Sequence, residues 1–362
     1  MRKIELVIII LLMFNISSWS QNLTINDSIV EKKYPYRLPI WGQKAYDKGY
    51  GDQMQLPLGF NVNYVNAFID MEITEFTLNV DGFDLGDIIN SETLNFTDVS
   101  ATTNGVNFRG DLWLFPFMNV YGLFSKVKGG TNVSLQPTWK DGLGEILLQL
   151  PEFSASVDFD AIAYGFGSTF VFGYQNYFLS TDINYSATKT ELLDNQVGIF
   201  CLSLRLGRKF NLSKKTPDLN LAGYVGVMNR DFIGADGSSG SIKFNEIFPD
   251  LDATFNEQIT EKISNNTDII NGLNPILNSD EIIKLKAKNL ALERIQTSVN
   301  ESEAFSKSIN YSIKKEMIQT YTFQFGFNLQ LNKHWMFRGE YGVSDSQRFI
   351  MTGLQYRFGL LK

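Results

Sequence analysis

The chain has 362 residues, a formal net charge of −7, 44% hydrophobic residues and a mean hydropathy of −0.11, values that exclude both a polytopic helical membrane protein and a disordered chain. A single Cys excludes a disulfide scaffold, a thiolate zinc site and an iron–sulfur cluster, and a single His excludes any site needing two imidazoles. The acidic balance argues against a nucleic-acid binder.

The N-terminus opens with basic Arg2 and Lys3, followed by an apolar run over 6–14 and then Ser18-Trp-Ser20. This order reads as a secretory signal peptide over 1–20, because a membrane span would need ~20 apolar residues. No Cys stands at the expected cleavage site, so a lipid anchor there is excluded. Removal of Arg2, Lys3 and Glu5 leaves the mature chain slightly more acidic. Residues 21–56 are polar and lack periodicity, and untied termini tend to be mobile. Tyr34, Tyr36, Trp41, Tyr46 and Tyr50 argue for docking, either as a periplasmic leader or as a plug in a lumen.

From Pro57 to the C-terminus, 57–362, the dominant pattern is alternation, the mark of strands. The clearest case is 321–331, where Tyr321, Phe323, Phe325, Phe327, Leu329 and Leu331 share one face. Thr322, Gln324, Gly326, Asn328 and Gln330 share the other. A face so aromatic opposite one so polar fits a membrane barrel, with lipid outside and polar groups within. Strands are predicted over 57–73, 102–114, 118–128, 158–172, 177–189, 196–209, 219–231, 317–331, 334–343 and 348–359. Short turns at 115–117, 173–176, 213–218 and 332–334 alternate with longer connections, as in an antiparallel up-and-down barrel. The expected fold class is therefore all-β, a transmembrane barrel of about 10–12 strands with both termini periplasmic. Twelve would result if 74–100 formed its own hairpin.

Parity places Arg109, Asp111, Arg205, Arg230, Arg338, Glu340 and Arg357 in the lumen. They would either select anions in a pore or close a narrow barrel as a satisfied ionic network. Small residues at 161, 163, 165, 167 and 169 leave space on the same face. Trp113, Phe115, Phe117, Phe172, Tyr174, Tyr177, Phe178, Phe210 and Trp335 crowd the short-turn end, where aromatic rings meet lipid headgroups. In the insertion at about 237–316 the period lengthens to about 3.6, so helices are expected. Asn278 or Ser279 starts one, with Ile282, Leu285, Leu292, Ile295 and Val299 as its stripe. Phe305, Ile309, Ile313 and Met317 suggest a second helical stripe. As an extracellular cap, the segment 240–314 should be removable without harm to assembly.

The end of the chain, Gly353-x-x-Tyr356-x-Phe358, resembles the terminal signal of substrates of the outer-membrane barrel assembly machinery. Leu38-Pro-Ile-Trp-Gly42, Leu56-Pro-Leu-Gly-Phe60 and Asp111-x-Trp113-x-x-Pro116-x-x-Asn119-Val-Tyr-Gly122 are similar to an uncharacterised family of Gram-negative outer-membrane β-barrel proteins. So are Leu331-Asn-Lys-His-Trp335, Glu340-Tyr-Gly342 and the closing Tyr356-Arg-Phe358. The likeness spans most of 38–128 and 317–359 and implies location and fold without a catalytic residue.

No hydrolase site is expected. His334 sits in a short turn beside Trp335 with no nucleophile, and is expected to bond backbone or headgroups. Asp158 and Asp160 share a strand face but suit a solvated strand end better than a calcium site. Gly237-Ser-Ser-Gly240 reads as a flexible turn, and Cys201 as lumen packing. No cofactor, metal, catalytic residue or nucleic-acid partner is expected. Expected partners are outer-membrane lipids, the barrel assembly machinery and a small solute or amphiphile. The functional expectation is a narrow channel, transport or ligand-binding barrel. Its alternative is a filled structural barrel whose helical cap binds a partner.

Overall fold

In the computed structural model, residues 33–51, 54–79, 85–191, 193, 195–233 and 238–361 are described. The predicted signal peptide over 1–20 lies outside them. The alternating segments form the strands β1 (Leu58–Asn79), β2 (Phe96–Phe115), β3 (Met118–Leu135), β6 (Phe153–Tyr174), β7 (Tyr177–Thr190), β8 (Val197–Asn211) and β9 (Asn220–Ile233). After the insertion come β12 (Tyr321–Gln330), β13 (Trp335–Val343) and β14 (Gln347–Phe358). A small two-stranded hairpin, β4 (Thr138–Lys140) and β5 (Ile146–Gln149), lies in the connection between β3 and β6.

Each barrel strand pairs antiparallel with its neighbour in chain order, and β1 closes the ring by pairing with both β2 and β14. The closed circuit contains ten strands. Residues 58–69 of β1 are paired on both sides: Leu58 stands opposite Leu112 and Phe358, and Ile69 opposite Ala101 and Gln347. Two further strands, both from the insertion, extend this sheet to twelve; the described residues of 74–100 supply no hairpin of their own. The described part of the connection at 74–100 prolongs β1 and β2 and adds a one-turn helix, α1 (Ser91–Leu94), capped by Asn90.

Outward positions are apolar across the wall. Phe323 and Phe325 are about half exposed to the exterior, as are Val225, Leu206 and Leu354. Inward positions on the same strands, Thr322, Gln324 and Gln355, are buried. This inside-out distribution requires lipid outside, because no second sheet among the described residues covers the aromatic faces. The chain is a transmembrane β-barrel.

Its long-loop end departs from the expected loops. β1, β2, β3 and β6 are 18–22 residues long, whereas β12 and β13 have 10 and 9. About 9–11 residues suffice to cross a bilayer, so the long strands stand well beyond it. There they meet the insertion, which contains β10 (Ser238–Lys243), α2 (Phe244–Ile247), α3 (Leu251–Gly272), α4 (Ser279–Ser302) and β11 (Ser308–Met317). Leu251, Phe255 and Ile259 of α3, spaced four apart, and Leu292 and Val299 of α4 are buried. They share an apolar core with Phe76 and Leu78 of β1, Trp139 of β4 and Phe244 and Phe305. Trp139 stacks at 5.4 Å from Phe255 and donates its indole N–H to the Ile88 carbonyl at 2.8 Å. Each fully buried large side chain contributes about 1.5–3 kcal/mol, so this is a substantial second core, built jointly by the insertion and the prolonged strands.

Two expectations for the insertion are corrected. The stripe of Ile309, Ile313 and Met317 belongs to strand β11, because a spacing of four is also even and keeps one face of a strand. Residues 238–240, read as a flexible turn, begin strand β10; Gly237 lies outside the described residues. Moreover, β11 pairs with β1 from Met71 opposite Met317 to Asn79 opposite Asn310. It takes over as the neighbour of β1 where β14 ends. Across 318–320 the chain then crosses to become β12, which pairs with β9 at Tyr321 opposite Asn229. The β13–β14 turn is tucked beneath this crossover, with Asp70 N donating to the Ser346 carbonyl at 2.8 Å. The Gln347 amide donates to the Gln319 carbonyl in the same place. The insertion is thus part of the wall, and deletion of 240–314 should strip 75–79 of β1 of their β11 partners.

Two outcomes follow for this end of the molecule. Phe255→Ala should cost about 3–5 kcal/mol within the outer core. Proteolysis of 244–305 should rise while the barrel keeps its heat-modifiable gel migration; equal loss of both would show that the two cores are not separable. The second outcome concerns Glu145, whose carboxylate accepts from Lys284 and Lys288 of α4, each at 2.8 Å. These bonds, Lys284 first, hold its pKa down at about 2 from the ordinary 4.5. A depressed carboxylate pKa means that the tie between hairpin and helix holds above pH 4.5 and is lost as the pH falls toward about 2. Hydrogen exchange in 138–149 should rise only in that window, and loosening well above it would contradict the pairing.

Candidate functional site

The inward faces of the strands carry three carboxylates, and each is held by a different set of neighbours. Asp111 on β2 accepts from Asn119 at 2.7 Å, Asn61 at 2.8 Å and Gln355 at 3.2 Å, and is ion-paired with the Arg357 guanidinium at 2.8 Å. Arg357 in turn donates Nε to the Leu56 carbonyl at 2.8 Å. Asp182 on β7 accepts from Tyr121 at 2.7 Å, Thr169 at 2.5 Å and Asn184 at 3.1 Å, with Arg109 3.9 Å away. Glu340 on β13 accepts from Tyr224 at 2.6 Å, Gln324 at 2.8 Å and Arg205 at 3.3 Å, with Arg338 at 3.9 Å. Period-two alternation makes this possible, since every second residue of each strand projects into one shared interior.

Glycines seat the two tyrosines. A Cβ on Gly167 would lie 2.5 Å from the Tyr121 ring, and one on Gly326 would lie 2.3 Å from the Tyr224 ring. The small face of β6 therefore does not leave the lumen empty; a tyrosine from the neighbouring strand lies across it. The Arg109 guanidinium then stacks 3.5 Å from the Tyr121 ring centre, and Arg205 sits 5.8 Å from that of Tyr224. The same arrangement of glycine, tyrosine, carboxylate and arginine is built twice in one lumen.

Below this network, toward the short turns, lies a cavity of about 680 Å³. Its rim includes Pro116, Gln175, Asn176, Pro217 and Lys333 of the short turns, so it opens at that end. Deeper, it is lined by Arg109, Asp111, Asp182, Arg205, Arg338 and Arg357. On the far side, Thr322 and Gln324 are fully buried, and Met228, Ala67 and Phe349 pack together above them. The cavity is blind along this side.

The segment before β1 helps to cover the mouth. Ile40 N donates to the Leu114 carbonyl at 2.8 Å and Arg37 N to the Leu360 carbonyl at 3.0 Å. Trp41 packs 4.9 Å from Phe115, and Ala45, Tyr50, Met54 and Leu56 line the cavity. The described residues from 35 to 56 are thus docked at the short-turn mouth.

Of the seven charged residues assigned to the lumen, the structure brings together Arg109, Asp111, Arg205, Arg338, Glu340 and Arg357. Arg230 lies apart, 5.6 Å from the Phe349 ring. Asp182 completes the network beyond the seven, and the alternation of Ser180, Asp182 and Asn184 with apolar residues is the sequence signal for it.

Phe115, Phe117 and Phe172 stack in a row with spacings of 5.6 and 6.2 Å. Tyr174, Tyr177 and Trp335 are exposed on the exterior, and Arg208 lies 5.2 Å from the rings of Tyr177 and Phe210. Trp113 and Phe178 are corrected: each has the parity of the lumen and lines the cavity, Trp113 with the Arg357 guanidinium 5.9 Å from its ring. In the terminal Gly353, Tyr356 and Phe358, the two rings face outward, whereas Gly353 faces inward. A Cβ there would meet Asn63 Oδ1 at 2.0 Å, which gives that glycine a packing role. His334 Nδ1 lies 2.8 Å from the Arg357 carbonyl. Asp160 pairs with Lys128 at 3.7 Å, and no cluster of three metal-ligating side chains occurs among the described residues.

No protein-family model matches the chain, and no curated protein matches it by sequence. Among solved structures, it is similar to the β domain of the Bordetella autotransporter BrkA, at 10% identity and a TM-score of 0.34, over 82% of this chain and 99% of that one. It is also similar to the outer membrane protein OprG from Pseudomonas aeruginosa, at 9% identity and a TM-score of 0.31, over 84% and 98%. The Ralstonia pickettii toluene transporter TbuX follows at 8% identity and a TM-score of 0.27, over 85% and 91%. At these values the similarities carry no argument, and the barrel rests on its own strand pairing.

Breaking one side of a buried ion pair costs about 3–5 kcal/mol, because the remaining charge is stranded. Arg205→Met should therefore lower the urea midpoint of the folded barrel markedly. Adding Glu340→Gln should restore most of the loss. A double variant no more stable than the single one would show that the pair does not hold this layer.

Proposed function

We propose that the chain is an integral outer-membrane barrel that binds a small solute or amphiphile in its lumen. In this reading the signal peptide over 1–20 exports it, the short turns and both termini face the periplasm, and the helical module faces outward. The aromatic row and Trp335 meet lipid headgroups, and the closing strand with Tyr356 and Phe358 is read by the assembly machinery. The protein acts by binding and passage rather than by catalysis.

The observation that carries this reading is the cavity of about 680 Å³ opening at the short-turn end. Its size falls in the range of small-molecule sites, roughly 300–1,000 Å³. Its inner end is a layer of hydrogen-bonded side chains rather than backbone, so passage requires only that side chains part. The barrel is then a closed binding chamber at rest, not an open pore.

Single-channel recording in planar bilayers tests this. The wild-type chain should show no steady conductance, because Gln324, Glu340 and Arg205 close the section. Gln324→Gly combined with Arg205→Ala should produce openings. Steady wild-type openings at low voltage would overturn the closed-chamber reading.

A further inference from the structure

We infer that the chamber selects a small organic anion, a carboxylate whose body is apolar. The inference rests on the reading that this cavity is a solute site, and it names the solute's class.

Charge is the first argument. Six cations line the cavity: Arg109, Arg205, Lys209, Lys333, Arg338 and Arg357. Against them stand Asp111, Asp182 and Asp218 in the lining, with Glu340 just behind it. The chamber therefore keeps a cationic excess even when every carboxylate is counted. A low-dielectric wall strengthens the resulting field toward an anion.

Hydrogen-bonding capacity is the second. Asp111 already accepts from three side chains and is ion-paired with Arg357, and Asp182 accepts from three, so these two carboxylates are largely used. The donors are not. The Nε atoms of Arg109, Arg205 and Arg338 are buried without a hydrogen-bond partner among the described residues. A buried donor left unmade costs about 1–3 kcal/mol, and a carboxylate is the acceptor whose planar fork fits a guanidinium edge. A cationic solute would meet a wall of net positive charge, although Asn328 in the lining keeps its amide oxygen unpaired among the described residues.

Shape is the third. Between the arginine layer and the mouth, the lining includes apolar Trp113, Phe178, Met336, Met54 and Leu56 beside polar Asn211, Asn220 and Gln330. The charged head is thus placed at the inner end and the apolar body toward the mouth, beneath the docked N-terminal segment.

Titration calorimetry of the full chain in detergent tests the inference with three probes of one shape: benzoate, benzyl alcohol and benzylammonium. Benzoate should bind at least about tenfold more tightly than benzyl alcohol, in line with a charge-assisted hydrogen bond of roughly 1.5–3 kcal/mol. Benzylammonium should not bind, and rising salt should weaken benzoate alone. Arg338→Gln should weaken benzoate about tenfold, and Glu340 keeps Tyr224, Gln324 and Arg205 in that variant. Should the variant fail to fold, the salt series and the probe ranking on the wild-type chain decide alone. Equal binding of benzoate and benzyl alcohol, or preference for benzylammonium, would overturn the anion inference and leave the solute chamber standing. No heat from any probe at millimolar concentration would overturn both.

Discussion

A backbone crossing hydrocarbon must pair every N–H and C=O within itself, and here that demand is met at one seam. Residues 58–69 of the first strand bond to the second strand on one side and to the last strand on the other. Without that double pairing the ten strands would be an open sheet with two unsatisfied edges in lipid. Closure also decides what the side chains do. Half of every strand must face a narrow interior that lipid never reaches, so polar residues collect there, and each needs a partner from another strand. Asp111 on the second strand and Arg357 on the last meet for this reason, far apart in sequence but next to the seam.

The interior solves its crowding with paired small and large residues. Gly167 and Gly326 accept tyrosine rings from neighbouring strands, and those rings place their hydroxyls on Asp182 and Glu340. Buried ion pairs are a weak source of net stability, since apolar side chains of the same volume would hold a barrel as well. What the network supplies is a septum of separable parts. An anion or water is able to replace one partner of a charged pair, whereas nothing small replaces a leucine in a packed core. The septum is therefore the one part of the wall-to-wall filling that an arriving solute is equipped to disturb.

Much of this was legible in the sequence, because a period of two is simple to read and membrane barrels enforce it strictly. Ten strands, the aromatic row at the short turns and most of the lumen charges follow from parity alone. Parity also placed Trp113 inside, but its aromatic character suggested the headgroup level, and only Arg357 beside it shows why it turns inward. The strand at 308–317 was read as helix because even spacings of four satisfy both periods. The outer core was less visible for a different reason. Its helices are polar over much of their surface and find their apolar partners on the prolonged ends of β1 and β2 and on the β4–β5 hairpin, more than a hundred residues away. The vacancy inferred from the small residues of β6 failed similarly, since a one-strand pattern says nothing of the tyrosine that lies on it from next door.

The crossover at 318–320 has a consequence for how modular this protein is. Above the bilayer, β1 leaves β14 and continues against β11, so the outer helices share a hydrogen-bonded wall with the barrel rather than hanging from it by two loose ends. The outer part is not a cassette. Grafted onto the loops of another barrel, residues 238–317 would arrive without the strand ends that complete their core, and a foreign insert placed here would leave 71–79 of β1 without a partner. Recombination between barrels of this type must therefore exchange the outer module together with the first strands of the wall. Those opening strands and the distant insertion form a single structural unit, although more than a hundred residues separate them in the chain.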